Sequence, residues 1–367
     1  MLCAALVNGP NNYIHPMNDV TRSDVLTVRP FREGDASVWD AYVHAHPDAT
    51  FFHLSGWKTV LERAFSHRTY YLLAVASDGT SIRGVLPMAL VSSFLFGKSL
   101  ISLPFCCYGG ALASDEQAQR ALEDEACKLA AKLNVDYLEM RQRRRTRLDW
   151  PAKELYVTFR KPIAADDEAN LNAIPRKQRA MVRKGINKGL DATIDKSNGE
   201  LYAMYSESLR NLGTPVFSQK YLRILQETFG EACEILTVRF EGAPIASVMS
   251  FYFRDEVMPY YGGGTVRARD LAANDFMYWK TMQRAVERGC RLFDYGRSKN
   301  GTGSYSFKAN WGFEPQQLFY EYHLVRARDV PNLSPTNPKY KLMIDTWQKL
   351  PLWLTQRIGP PLARYLG

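Results

Sequence analysis

The stretch that decides the fold is Arg291–Pro315, R-L-F-D-Y-G-R-S-K-N-G-T-G-S-Y-S-F-K-A-N-W-G-F-E-P. Its apolar pair Leu292-Phe293 reads as a short buried strand that carries Asp294 and Arg297 to its end. A glycine-rich loop with Gly301 and Gly303 follows, then Tyr305, the step Phe307-Lys308 and the run Trp311-Gly312-Phe313. A rigid strand aims charged side chains better than a loop can, so this pattern marks a candidate site. The segment also closes the second of two similar halves.

In the first half a helical pattern over Trp39–His44 precedes a helix with Trp57, Val60, Leu61 and Phe65. A strand over Tyr70–Ala76, a turn at Asp78-Gly79 and a returning strand over Gly84–Val91 form a hairpin. The strand Ser99–Leu103 leads to Tyr108-Gly109-Gly110. A helix of period 3.6 then carries Ala118, Leu122, Ala126 and Ala130, with Ser114 and Gln117 as its capping box, and the strand Tyr137–Met140 ends at Arg141. The second half repeats the order. Helices over Leu201–Leu212 and around Tyr221–Phe229 precede strands Glu234–Phe240, Ile245–Phe253 and Val257–Tyr261. The last ends in Tyr261-Gly262-Gly263, and Asn274 is expected to cap the next helix. Two landmarks recur at like spacing, Trp57 before Phe65 and Tyr221 before Phe229, and Tyr-Gly-Gly before each final strand. These point to an internal duplication.

The 367 residues carry 46% apolar and 12% aromatic side chains, enough for packed cores, which excludes a disordered chain. The net charge of +9 favours an anionic partner. Cys3, Cys106, Cys107, Cys127, Cys233 and Cys290 show no metal-type spacing, so neither a metal site nor a disulfide framework is expected, and the compartment reads as reducing and cytoplasmic. Leu2–Val7 is too short for a signal peptide, and residues 1–24 are expected to be disordered.

Each half reads helix, helix, antiparallel meander, helix, strand, the order of an acyl-CoA N-acyltransferase (GNAT) fold. The expected fold class is therefore α/β of the α+β type. It comprises two tandem GNAT-like units over 25–165 and 166–328, with a Pro-rich linker and amphipathic helical tail over 329–367. With the basic segment I-P-R-K-Q-R-A-M-V-R-K-G-I-N-K-G-L (Ile174–Leu190) and the ending F-D-Y-G-R-S…Y-S-F-K-A-N-W-G-F-E-P, residues 27–325 resemble the FemAB family. The resemblance is strongest to its branch found with exosortase/PEP-CTERM systems. It implies an acyl or aminoacyl transferase acting on an amine or hydroxyl of an envelope or exopolysaccharide acceptor, the alternative being a non-catalytic binding or scaffold protein of an envelope polysaccharide system. The donor is acyl-CoA or aminoacyl-tRNA as co-substrate, with no tightly bound cofactor. Two departures stand out. A GNAT pyrophosphate loop, Gln/Arg-x-x-Gly-x-Gly/Ala opening a helix, is not apparent; the nearest approach, Ser298–Gly303, shows no helix start. No two-helix tRNA-binding arm is visible.

No Ser-His-Asp pattern is evident, and His53, His67 and His323 read as structural, so direct transfer without a covalent enzyme intermediate is expected. Lys308 is the first candidate, because FemABX relatives carry Phe-Lys near the transfer site; it can stabilise an oxyanion, bind phosphate, or merely be solvated. Asp294 can accept a proton or orient an amine, or it forms a structural pair with Arg297 or Lys308. Arg297 can clamp a phosphate or carboxylate. Tyr305 can bond the acceptor, Gly301 and Gly303 can admit an anion, and Tyr261 with Gly262 stands where the central strands should splay. Tyr108 is the first-unit equivalent, and the resemblance gives that unit the acceptor. Arg176, Arg179 and Arg183 share one helical face and suit a nucleotide diphosphate, CoA or tRNA phosphate. Arg141–Arg147 is expected to be a surface loop. The helix over Tyr340–Leu350, with Leu352-Trp353-Leu354 beyond it, suits either a membrane surface, giving peripheral contact at the inner membrane through 340–367, or packing on the domain.

Overall fold

A computed structural model describes residues 26–93, 97–331 and 338–365; residues 1–24, expected to be disordered, lie outside them. The first unit begins with β1 (Thr27–Pro30), α1 (Ala36–Ala45), a 3-10 turn over Phe51–His53, and α2 (Gly56–Phe65). It continues through β2 (Arg68–Thr69), β3 (Leu72–Val75), β4 (Ile82–Leu86), β5 (Ala89–Ser93), β6 (Gly97–Ile101) and β7 (Leu112–Ala113), then α3 (Glu116–Leu133), β8 (Tyr137–Gln142) and β9 (Ala152–Lys153). The single strand expected over Gly84–Val91 is two. β4 pairs with β3, while β5 pairs with β6 in a different sheet. Pro87, which lacks an amide hydrogen, stands between them and ends the ladder. The cap of α3 is Asp115, not Ser114: its carboxylate accepts from Ala118 N at 2.8 Å, while the Ser114 hydroxyl meets Tyr42. An ionised oxygen is the stronger acceptor at a helix start.

β10 (Tyr156–Pro162) ends the first stretch of chain, and the second unit then comprises α4 (Asp167–Ala173), α5 (Arg176–Asn187), β11 (Asp191–Asp195), α6 (Gly199–Leu212) and α7 (Gln219–Phe229). There follow β12 (Cys233–Phe240), β13 (Ala243–Phe253), β14 (Glu256–Gly264), α8 (Val266–Asp270), α9 (Ala273–Glu287), β15 (Leu292–Asp294), β16 (Ser298–Lys299), α10 (Gly303–Asn310), β17 (Pro315–Gln317) and β18 (Phe319–Leu324). Its sheet runs β11-β12-β13-β14-β15-β10-β16, with β17 also on β10. Asn274 lies inside α9, which begins after Ala272 in a left-handed conformation (φ +56).

The units exchange strands. β10 lies between β15 and β16, inside the second sheet. β18 pairs antiparallel with β8 from Phe319↔Gln142 to Leu324↔Tyr137, inside the first. A sequence cut at 165/166 therefore does not follow the seam between the sheets: order along the chain reports strands, not their partners. The landmark pairs of the duplication meet at this seam. Trp57 lies 5.4 Å from Phe229, and Phe65 lies 4.8 Å from Tyr221, a pseudo-twofold contact of α2 with α7. Phe51 stacks on Phe251 at 4.5 Å, so one aromatic core spans both units.

The tail forms α11 (Pro338–Lys349) and α12 (Leu352–Ala363), which pack on α6. Trp347 is buried, and His67 Nε2 meets Arg364 O at 2.9 Å. Trp353 and Leu342 remain exposed. Among the described residues no helix is long and apolar enough to cross a membrane. The expected surface loop Arg141–Arg147 is only partly one. Arg141 lies in β8, buried, pairing with Glu139 at 2.7 Å. Arg145 pairs with Glu321, and Arg147 with Asp124.

Candidate active site

β15 delivers Asp294 to the seam, fully buried. Oδ1 accepts from Thr158 Oγ1 at 3.1 Å and Gly296 N at 2.7 Å. Oδ2 accepts from the Tyr108 hydroxyl of the first unit and faces Arg160 Nε at 3.1 Å. The ion-pair partner is therefore Arg160, neither Arg297 nor Lys308. Three hydrogen bonds and one ion pair hold this carboxylate on every side, which makes it a fixture that locks Tyr108 and the turn after β15. Burial, and next the Asp294 charge, push the Tyr108 phenol far up, so it stays a neutral donor.

Lys308 stands on α10, which starts at Gly303 with Thr302 as its cap. The Ser298–Gly303 loop thus does open a helix, contrary to expectation. Lys308 Nζ donates to Gly296 O at 3.0 Å and Arg297 O at 3.1 Å, leaving one N–H unassigned. Burial lowers its ammonium from the usual lysine range to about 8. Arg297 N donates to Cys107 Sγ at 3.3 Å, and its guanidinium bonds Tyr320 Oη at 2.8 Å and lies over the Tyr156 ring at 4.5 Å. Cys107 comes from the first-unit segment Leu103–Tyr108, in which Leu103 (φ +54) and Phe105 (φ +71) hold a backbone shape costly for their side chains. That segment is tied down by Tyr260 Oη donating to Phe105 O at 2.8 Å and Tyr320 Oη donating to Cys107 O at 2.7 Å.

The structure thus gathers Lys308, Asp294, Arg297 and Tyr108 at one seam. The other candidates stand apart. Tyr261 is buried in the shared aromatic core, its hydroxyl 2.6 Å from that of Tyr221. Gly262 faces Val248, and at Gly263 a Cβ would lie 2.5 Å from Met204 O, so the glycines there let α6 approach β14. Tyr305 packs edge-on to Phe159, while Gly301 and Gly303 are exposed. Arg176, Arg179 and Arg183 line a separate open groove of about 740 Å³ on α5, with Lys184 and Lys188.

Strand geometry distinguishes the two units. β14 and β15 pair in parallel only at Glu256↔Leu292 and Val257↔Phe293, then part. Just beyond, the register of β13 with β14 shifts so that Tyr260 is an extra, bulged residue. In the first unit the same place is stitched shut. Ser102 N donates to Glu139 O at 2.9 Å, Arg141 N to Ser102 Oγ at 2.8 Å, and the Arg141 guanidinium to Cys106 O at 2.9 Å. Only the second unit offers an open splay. Between β14 and α9, where a pyrophosphate loop would stand, Arg269-Asp-Leu-Ala272-Ala-Asn274 keeps only the opening Arg of that pattern, with Ala272 holding the left-handed conformation at the first glycine position and Asn274 at the second. Its position ahead of the helix was the readable signal; an alanine in place of glycine hid it. Arg160, Thr158, Cys107 and Tyr260 carried no sequence signal, since only the strand exchange brings them together. Among the described residues no cluster of His, Cys, Asp or Glu could hold a metal ion.

Comparison with known proteins agrees with this geometry. Residues 176–309 match the acetyltransferase (GNAT) domain family. A crystal structure of FemX superposes with a TM-score of 0.64 at 15% identity, over 86% of this chain and all of that one. A tandem GNAT protein from the clavulanic acid biosynthesis pathway gives 0.55 at 12% identity, over 83% of this chain and all of that one. The C-terminal domain of an Agrobacterium fabrum protein described as a lysylphosphatidylglycerol synthetase gives 0.54 at 14%, over 78% and 91%. No curated protein matches the chain. The fold is that of tandem GNAT units with a helical tail, as expected from the sequence.

Proposed function

We propose that the protein is an acyltransferase that moves an acyl group from an acyl-CoA donor, bound at the splay of the second unit, directly to an amine or hydroxyl acceptor. The observation that carries this reading is the bulged β14 parting from β15 inside the segment that matches the acetyltransferase family. The acceptor nucleophile attacks the thioester carbon, the carbon–sulfur bond breaks, and the proton lost by the nucleophile ends on the departing sulfur, giving the acylated acceptor and free CoA thiol. A backbone N–H at the bulge, near Tyr260, stabilises the oxyanion. Lys308, with one N–H to spare beside the turn after β15, supplies positive charge nearby. An envelope or exopolysaccharide acceptor is the one that the family resemblance of the sequence implies.

Thiol release from acetyl-CoA tests it. Wild type should bind acetyl-CoA saturably, and Lys308→Met should lose turnover while keeping its fold. Equal turnover by the variant, or no binding of acetyl-CoA, would sink the reading. An aminoacyl-tRNA donor is the second reading, favoured by the basic face of α5. No acidic residue occurs between Glu168 and Asp191, and no ion pair engages Arg176, Arg179 or Arg183 among the described residues. Saturable tRNA binding that weakens steeply with salt, and is lost when these arginines are neutralised, would select it.

A further inference from the structure

A cavity of about 290 Å³ opens on the first unit's side of the seam, walled by His46, Thr50, His53, Tyr108, Gly110 and Arg143 among others. It adjoins a second of about 400 Å³, the two sharing His46, Asp48, Ala113 and Arg144. Tyr108 connects this space to the site, because its hydroxyl holds Asp294.

The arginines around it are not equivalent. Arg141 is spent on Glu139, Arg145 on Glu321, and Arg147 on Asp124. Arg144 is exposed and meets Asp48 only at 3.6 Å. Arg143 has no carboxylate partner among the described residues. Its guanidinium lies over the Tyr108 ring at 5.8 Å and bonds a single backbone oxygen, Asp48 O, at 3.2 Å. A guanidinium offers five N–H donors, so most of this one's capacity faces the cavity unspent. The histidines lining the cavity spend ring nitrogens on the backbone. His46 Nδ1 accepts from Asp48 N, leaving Nε2 to donate to Ala113 O, and His53 Nδ1 accepts from Thr50 N at 3.1 Å.

We propose that this cavity is the acceptor site and that it selects an acceptor bearing an anionic group, a phosphate monoester or a carboxylate, which the Arg143 guanidinium holds while the reactive amine or hydroxyl points past Tyr108 toward the seam. This rests on the acyltransferase reading for the identity of the occupant as acceptor, but the anion site is testable by itself.

The experiment titrates phosphoethanolamine, β-alanine and ethanolamine into the full-length protein by calorimetry, using wild type, Arg143→Met, Arg143→Lys and Lys308→Met. One or both anionic amines should bind saturably and ethanolamine far more weakly. Which anion binds identifies phosphate or carboxylate. Arg143→Met should weaken binding about 10–100-fold, the loss of a charge-assisted hydrogen bond, and Arg143→Lys should recover part of it. Lys308→Met, on the donor side, should leave anion binding unchanged. Ethanolamine binding as tightly as the anions, Arg143→Met binding like wild type, or no saturable anion binding would each overturn the proposal. Thiol release is read alongside. Arg143-dependent anion binding without any turnover removes the acyltransfer reading and keeps the site. Turnover on an anionic acceptor that is indifferent to Arg143 keeps the reading and removes the site.

Discussion

Replacing Lys308 by Met should change how stability depends on pH in a way that only a buried, functional ammonium predicts. Folding moves Lys308 from the ordinary lysine value of 10.5 to about 8, chiefly by burial. The unfolded chain therefore binds a proton more tightly than the folded one between those values, and stability must rise with pH across that window. At neutral pH the buried charge costs about 3 kcal/mol, and the cost fades as pH climbs from 8 toward 10.5. Methionine fills the stem's volume but abandons Gly296 O and Arg297 O, a fixed offset that does not titrate. The difference in unfolding free energy, wild type minus Lys308→Met, should thus move in favour of wild type by about 2–3 kcal/mol between pH 7 and pH 10. Urea unfolding of both proteins at pH 7, 8, 9 and 10 measures it. A difference that stays flat, or moves the other way, refutes the burial argument and with it the case that the fold bears a destabilising charge for the sake of chemistry. The same lysine predicts turnover declining as pH passes about 8, if the protonated form is the one that acts.

Three further outcomes follow from the geometry. Asp294→Ala leaves Arg160 with Glu256 as its carboxylate partner but takes away the acceptor of Tyr108, Thr158 and Gly296 N, so it should cost about 3 kcal/mol and lower the unfolding midpoint before it reports on catalysis; a fully stable variant that is merely inactive would show that Asp294 acts chemically. Burial pushes His53 down to about 3 and His67 to about 4, so both stay neutral in the fold while the unfolded chain protonates near 6.5. Stability should fall by about 2 kcal/mol per histidine between pH 7 and pH 5, and His67→Phe should show a shallower acid slope than wild type in urea titrations. Gly263→Ala places a Cβ 2.5 Å from Met204 O and should lower stability by about 1–3 kcal/mol, read as a drop in the thermal midpoint.

Much of the fold was legible because it is written in local periodicity. The 3.6-residue stripe Ala118–Ala130 is the buried face of α3, and Trp57/Phe65 with Tyr221/Phe229 were readable as a repeat before their contact across the seam was visible. Asp294, Arg297 and Lys308 were legible as a group because one strand end and one helix carry all three. What escaped depends on partners distant in sequence. Nothing near Asp294 announces that Arg160 and Tyr108 reach it, since β10 comes from far upstream to pair beside β15 and the Leu103–Tyr108 segment arrives from across the seam. Nothing in the basic run around Arg141 announces that one arginine is buried against Glu139 while Arg143 keeps its charge uncompensated. Ala272 was invisible for a different reason: its left-handed backbone is imposed by the turn into α9 rather than chosen by the residue.

The exchange of β10 and β18 also sets a schedule for synthesis. A chain growing from its N-terminus completes β8 long before Phe319–Leu324 exists, so the first sheet waits with an unpaired edge while about half the chain is still being made. Through that interval the strand that carries Glu139 and Arg141 is an open template for another chain. Closure of that edge is a late contact of high sequence separation, followed only by the docking of the tail on α6, which makes slow assembly the natural expectation. It also means that the first half is no portable module: a cut after β10 removes a strand from both sheets at once, and a cut before β10 still takes β18 from the first.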